Sequence, residues 1–255
     1  MVSKIEWAAR RTRASAIRAA GISRLTAGIA TGRTRELWIG DSHSVLLNTE
    51  RFPLWMSPGP GGRFIWHLGP RIIHSVAANG FPPVVERTLR RLRRLPAARR
   101  VTCLFVFGEI DVRCHLAPRL TSGLDTDWVG RYVERAVALA DSMGAARIVI
   151  VTPTPPSDAI EDHVMFPIAG DIVARTAAHR WLSDALVAAV PAGDPRVSVL
   201  DLREALADED GRLPEHLTYD GCHTNEAGRD AVRRLVDAHL SDHPTTHPTS
   251  EERPR

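Results

Sequence analysis

Lysine is almost missing from this chain. Lys4 is the only one in 255 residues, and arginine carries the rest of the positive charge. A body without lysine excludes a Walker A phosphate loop, a lysine Schiff base and a catalytic Ser–Lys pair. Cysteine is scarce and odd in number: Cys103, Cys114 and Cys222, with no C-x-x-C. That excludes a disulfide framework and a zinc ribbon, and a reducing, cytoplasmic setting is the expectation. No apolar run approaches the roughly 18 residues that a bilayer-spanning helix needs. The first residues lack the apolar core of a signal peptide. G-x-S-x-G is absent, which argues against the nucleophile elbow of the α/β-hydrolases. His43, His67, His74, His115 and His223 form no H-E-x-x-H or equivalent pair, and no G-x-G-x-x-G follows a strand. Neither a metal nor another cofactor is expected.

What remains is an ordinary globular composition, 44% apolar and 25% charged with a net charge of +3. It is long enough to bury one substantial core. Short apolar runs alternate with helical spacing along the chain. Leu37–Ile39, Phe64–Leu68, Val101–Phe107, Arg147–Val151 and Val197–Leu202 read as strands. Helices are expected from Pro70 to Val76, over 83–100, from Thr126 to Met143, over 170–190 and from about Glu226 to Leu240. This alternation predicts a three-layer α/β/α sandwich around a mostly parallel sheet of about five strands, flavodoxin-like in class. Residues 53–63, rich in Pro and Gly, read as a loop.

Residues 1–34 form a basic leader, helical or loosely docked, with Ile5, Ala8, Ala9 and Ile17 on one side. Residues 35–240 form the domain, and 241–255 a polar tail expected to be disordered. The arginines of 87–94 read as a solvated helix face. Nucleic acid is not the expected partner, because no aromatics interleave them.

Ligands bind such sheets at the carboxyl ends of the strands, and the chemistry-bearing residues cluster there. Leu37-Trp38-Ile39 runs straight into Gly40-Asp41-Ser42-His43-Ser44. A Ser at this junction is either a helix cap or a nucleophile held on a rigid strand end. Phe64–Leu68 also stops at a glycine, Gly69, followed by Arg71. Val101–Phe107 stops at Gly108 and leads into Glu109-Ile110-Asp111-Val112-Arg113-Cys114-His115, expected to be a site loop. Near the end of the chain stands Asp220-Gly221-Cys222-His223. An Asp three residues before a His, across a Gly, can fold its carboxylate onto the imidazole. One ring nitrogen is then fixed and the other is free to take a serine proton. The same Asp could instead cap the helix that follows, with His223 a surface residue.

Together these segments resemble the SGNH (GDSL-type) hydrolase superfamily over roughly residues 35–240. Gly40-Asp41-Ser42-His43-Ser44 looks like its first block, Gly69 like the glycine of its second, Gly108-Glu109-Ile110-Asp111 like its third (G-x-N-D) and Asp220-Gly221-Cys222-His223 like its fifth. The resemblance implies a serine esterase working through an acyl-enzyme. Ser42 would be its nucleophile, His223 its base and then its acid, and Asp220 would orient His223. The backbone N–H groups of Ser42 and Gly69 would hold the oxyanion. A small O-acyl ester, for instance on a sugar or secondary metabolite, is the expected substrate. An acyltransferase and a weakened binding domain remain alternatives. The third block departs from the family, with Ile110 where an asparagine donor is expected. Arg113, His115 and Arg71 are candidates to replace it, or these arginines pair with Glu109 and Asp111.

Overall fold

A computed structural model describes residues 4–45, 56–120, 123, 127–160 and 166–242, with side chains described from residue 15 onward and that of Val45 left out. In chain order the elements are α1 (Lys4–Ala30), β1 (Glu36–Gly40), a 3₁₀ turn (Ser42–Val45), β2 (Met56–Pro58), β3 (Arg63–His67), α2 (Ile73–Asn79) and α3 (Pro83–Leu92). There follow β4 (Thr102–Val106), α4 (Glu109–Asp111), a π-helical turn (Val112–Leu116), α5 (Ala117–Leu120), α6 (Asp127–Met143) and β5 (Arg147–Val151). The series closes with α7 (Ile172–Ala189), β6 (Val197–Leu200), α8 (Arg203–Leu206) and α9 (Glu226–Asp242).

The six strands form one sheet in the order β2-β3-β1-β4-β5-β6. All neighbours are parallel except β2, which runs antiparallel to β3. The sheet is therefore one strand wider than the sequence pattern suggests. The extra strand, three residues inside the Pro/Gly-rich stretch, is too short for periodicity to register. It sits at the edge, where Pro58 breaks no central ladder.

Side chains alternate across the sheet and build two apolar layers. One joins Leu37, Ile39, Phe105 and Ile150 to α2, α3, α6 and α7. The other joins Trp38, Leu104, Val106 and Val149 to Val232 and Val236 of α9. The predicted α/β/α sandwich is thus the observed fold. Leu25 and Ile29 of α1 are fully buried in the first layer. Each such side chain contributes about 1.5–3 kcal/mol, so the C-terminal half of α1 is docked. Ile17 is only half-buried, and the side chains of Ile5, Ala8 and Ala9, with the tail from residue 243, lie outside the described residues.

Two further expectations need correction. The helix expected over 83–100 ends at Leu92, and a 3₁₀ turn (Pro96–Arg100) follows, because proline biases the residue before it away from helix. The segment 109–115 is helical rather than a loop. Its polar content suggested a loop, but it holds no Gly or Pro to stop a helix. The π-helical widening lies directly before Ala117 and Pro118. It accommodates a proline whose ring would otherwise press on the carbonyl four residues back.

Candidate active site

Strand β1 ends at Gly40, and only glycine fits. A Cβ there would lie 2.2 Å from the Val106 carbonyl oxygen on the neighbouring strand. The chain turns at once into the 3₁₀ turn. Asp41 Oδ1 accepts the His43 N–H at 2.9 Å, and the Ser44 hydroxyl donates to the Asp41 carbonyl at 2.7 Å. These residues cap the turn, which leaves the Ser42 hydroxyl facing outward.

The other half of the site is a clamped loop. The Thr218 hydroxyl and the Tyr219 N–H both donate to the His223 carbonyl, at 2.8 and 3.2 Å. Gly221 takes a positive φ of 74°, and a Cβ on it would lie 2.3 Å from the Ile160 backbone nitrogen. Within this turn Asp220 Oδ1 accepts the N–H groups of Cys222 (2.9 Å) and His223 (2.6 Å), and Oδ2 meets His223 Nδ1 at 2.7 Å. The helix N-cap is a different residue, since Asn225 Oδ1 accepts the Gly228 N–H at 3.1 Å.

The two halves meet across 181 residues, with His223 Nε2 3.0 Å from Ser42 Oγ. Burial alone would raise the Asp220 pKa. The hydrogen bonds from His223 and Cys222 outweigh it and hold the carboxyl at about 2, so it stays ionised and fixes the Nδ1–H tautomer of His223.

Ser42 and His223 open into a cleft of about 960 Å³ whose walls include Pro70, Ile110, Ile160, Phe166 and Tyr219. Of the remaining sequence candidates, only Arg113 also lines it. The Arg113 guanidinium lies 5.7 Å above the Phe166 ring. It also pairs with Glu109, Nε to Oε1 at 2.7 Å and Nη2 to Oε2 at 2.9 Å. Burial would raise the Glu109 pKa, but His43 and Arg113 hold it at about 2. Ile110 is 6% exposed, its apolar side chain on the cleft wall. Gly69 adjoins the cleft-lining Pro70, and Leu68 beside it donates its N–H to the Gly40 carbonyl at 2.7 Å.

Asp111, His115 and Arg71 are not brought to this cleft. Asp111 accepts the N–H groups of Ile73 and His74 at the start of α2, at 2.8 and 3.5 Å. Burial pushes its pKa up to about 7. His115 lines a separate hollow of about 190 Å³ with Asp111, Arg119 and Trp128. Arg71 donates to the Leu68 carbonyl at 3.3 Å.

Residues that the sequence reasoning passed over complete the site. His43, read in the sequence only within the first block and among the histidines without metal-ligand spacing, is 3% exposed. Its ring stacks on His223 with centroids 4.9 Å apart and planes 14° from parallel. Tyr219 also stacks on His223, at 5.9 Å and 15°. Both sit beside residues already singled out, and only their own position went unweighed. His43, Cys222 and His223 place donor atoms within 4.8 Å of one another. The near-parallel imidazoles do not converge, because a metal in the plane of one ring would lie over the face of the other. Burial also keeps the Cys222 thiol protonated, its pKa pushed well up. The cluster is therefore not a ready-made metal centre.

No family model matches the sequence, and no curated protein matches it. Solved structures do. A GDSL-like lipase from Bacteroides thetaiotaomicron is 12% identical, covering 83% of this chain and 90% of that one with a TM-score of 0.46. A carbohydrate acetylesterase from Sinorhizobium meliloti is 16% identical, covering 81% and 100%, with a TM-score of 0.45. The M. smegmatis aryl esterase is 15% identical, covering 81% and 98%, also at 0.45.

Proposed function

We propose that this chain is a serine ester hydrolase of the SGNH type, acting through an acyl-enzyme on Ser42. One observation carries the reading: the unbroken relay from Asp220 through His223 to Ser42 Oγ, at 2.7 and 3.0 Å. His223 Nε2 takes the hydroxyl proton as Oγ attacks the ester carbonyl carbon. The C=O π pair becomes an oxyanion, and His223, now charged, is braced by Asp220. Collapse expels the alcohol, which leaves with the proton from Nε2. Water then repeats the sequence, and the carboxylic acid departs.

The oxyanion is held by the N–H groups of Ser42 and Gly69, the roles that the family resemblance implies. The third donor of the family is missing at Ile110. Arg113 is the best-placed substitute, being the one sequence candidate on the cleft wall. Its Nε and Nη2 are engaged by Glu109, so the N–H it would give the oxyanion is one of those left over, and the ion pair brings no net charge to the cleft. The cleft suits a small O-acyl ester, for instance on a sugar or secondary metabolite, and no cofactor is required. Acyl transfer shares the first half of this chemistry, with an alcohol in place of water.

A fluorophosphonate probe should label Ser42. Ser42→Ala should lose both labelling and cleavage of p-nitrophenyl acetate. Wild-type protein that stays unlabelled would replace the esterase reading by that of a binding domain. Asp220→Asn should lower turnover by roughly 10⁴ with the wrong His223 tautomer, and lower stability far less. Equal losses would assign Asp220 a structural role.

A further inference from the structure

Beneath the proposed triad lies a second polar assembly, of which the chemistry above uses only Arg113. His43 follows the nucleophile directly and is almost fully buried. Its Nδ1 lies 3.0 Å from the Thr154 hydroxyl. Its Nε2 faces Cys222 Sγ at 3.5 Å and Glu109 Oε2 at 3.7 Å. Glu109 is in turn gripped by Arg113. The carboxylate beside Nε2 favours the Nε2–H tautomer, and Nδ1 then accepts from Thr154. The groups around His43 are thus Asp41 on its own turn, which accepts the His43 backbone N–H, His67 at the end of β3, Glu109 and Arg113 from the helical segment after β4, Thr154 from the loop after β5, and Cys222 and His223 from the clamped loop. The Glu109–Arg113 pair sums to zero charge, and burial disfavours a charged His43.

We propose that His43 is a positioning residue for the general base: its pinned, neutral ring is the wall on which the His223 imidazole stacks. Such a wall has two physical effects. It limits swinging of His223 about its Cβ–Cγ bond, and so keeps Nε2 on Ser42 Oγ and Nδ1 on Asp220. It also offers a π face to the imidazolium formed when His223 takes the serine proton, whereas a charged neighbour would repel it. A stack of this kind acts on the geometry of proton transfer, where misplacement by about 1 Å can cost roughly 10²-fold. This role rests on the Ser42 esterase reading.

The experiment has a kinetic arm and a spectroscopic one. In the kinetic arm, His43→Ala should slow fluorophosphonate labelling of Ser42 and kcat for p-nitrophenyl acetate by about 10²-fold, with KM little changed. Thr154→Val keeps the ring but removes one of its anchors. It should act in the same direction and more weakly, and it serves if His43→Ala fails to fold. In the spectroscopic arm, proton–nitrogen correlation spectra report the His223 tautomer without turnover. They are recorded on Ser42→Ala, Ser42→Ala/His43→Ala and Ser42→Ala/Thr154→Val. A single Nδ1–H form should give way to a tautomer mixture when His43 is removed or released. Wild-type labelling rates together with an unchanged tautomer in both variants would overturn the proposal. Wild-type protein inert to the probe would defeat the esterase reading instead, and the tautomer arm alone would then decide the role of His43.

Discussion

Glu109 and Asp111 sit two residues apart in one helical turn, both buried, and end in opposite electrostatic states. Glu109 faces the Ser42–His223 side, where His43 and Arg113 hold its pKa at about 2. Asp111 faces α2, where two backbone N–H groups do not offset its burial and its pKa rises to about 7. The lesson is that a buried carboxylate is set by its partners rather than by its depth: an imidazole and a guanidinium together offset desolvation, and two backbone dipoles do not. The same turn divides its other residues. Ile110 and Arg113, three apart, share the cleft face, while His115 goes with Asp111 to the far hollow.

The most damaging way to break this contrast is Glu109→Gln. It strands Arg113 with no carboxylate, and about 3–5 kcal/mol of stability should be lost in urea unfolding at neutral pH. Wild-type stability there would mean that the pair contributes little. Asp111→Asn acts through pH instead. A folded pKa above the ordinary 3.8 means that the stability contributed by Asp111 is fully present below that value and lost as pH rises through about 7. The asparagine variant should flatten the stability–pH curve over that window by about 1.4 kcal/mol or more, the worth of one pKa unit. An unchanged curve would place the Asp111 pKa near normal.

Ile110→Asn tests the cleft face by adding the donor that the proposed oxyanion site lacks. Since losing such a donor costs roughly 10²–10³, a gain in kcat of about tenfold is expected toward p-nitrophenyl acetate. No gain would indicate that Arg113 already fills the role. The smallest effect belongs to His115→Ala, which points to the far hollow and should leave kcat within about twofold, a change of under 0.5 kcal/mol. A large loss would bring His115 back to the site.

Much of this was legible beforehand. The strand-end glycines, Ser42 and the Asp220-Gly221-Cys222-His223 turn announce themselves by local pattern, because a turn and a strand end are short-range features. Ser42 as cap or nucleophile could not be decided locally, since both uses need the same residue in the same place. Which of Arg71, Arg113 and His115 reaches the cleft was equally hidden. That depends on a helix with a π-helical turn where polarity suggested a loop. The buried place of His43 was invisible too, for nothing in a His after a Ser distinguishes a surface ring from one stacked on a second imidazole.

The sequence by itself determined the alternation of strands and helices, and hence a parallel sheet with its loops gathered at one edge, because periodicity and glycine breaks act over a few residues. Only the tertiary structure decided that His223 Nε2 reaches Ser42 Oγ, that Arg113 meets Glu109 at the cleft wall, and that His43 lies under the imidazole. Those contacts join segments up to 181 positions apart. Their existence depends on how two apolar layers pack against a twisted sheet, a property that no local stretch of residues carries.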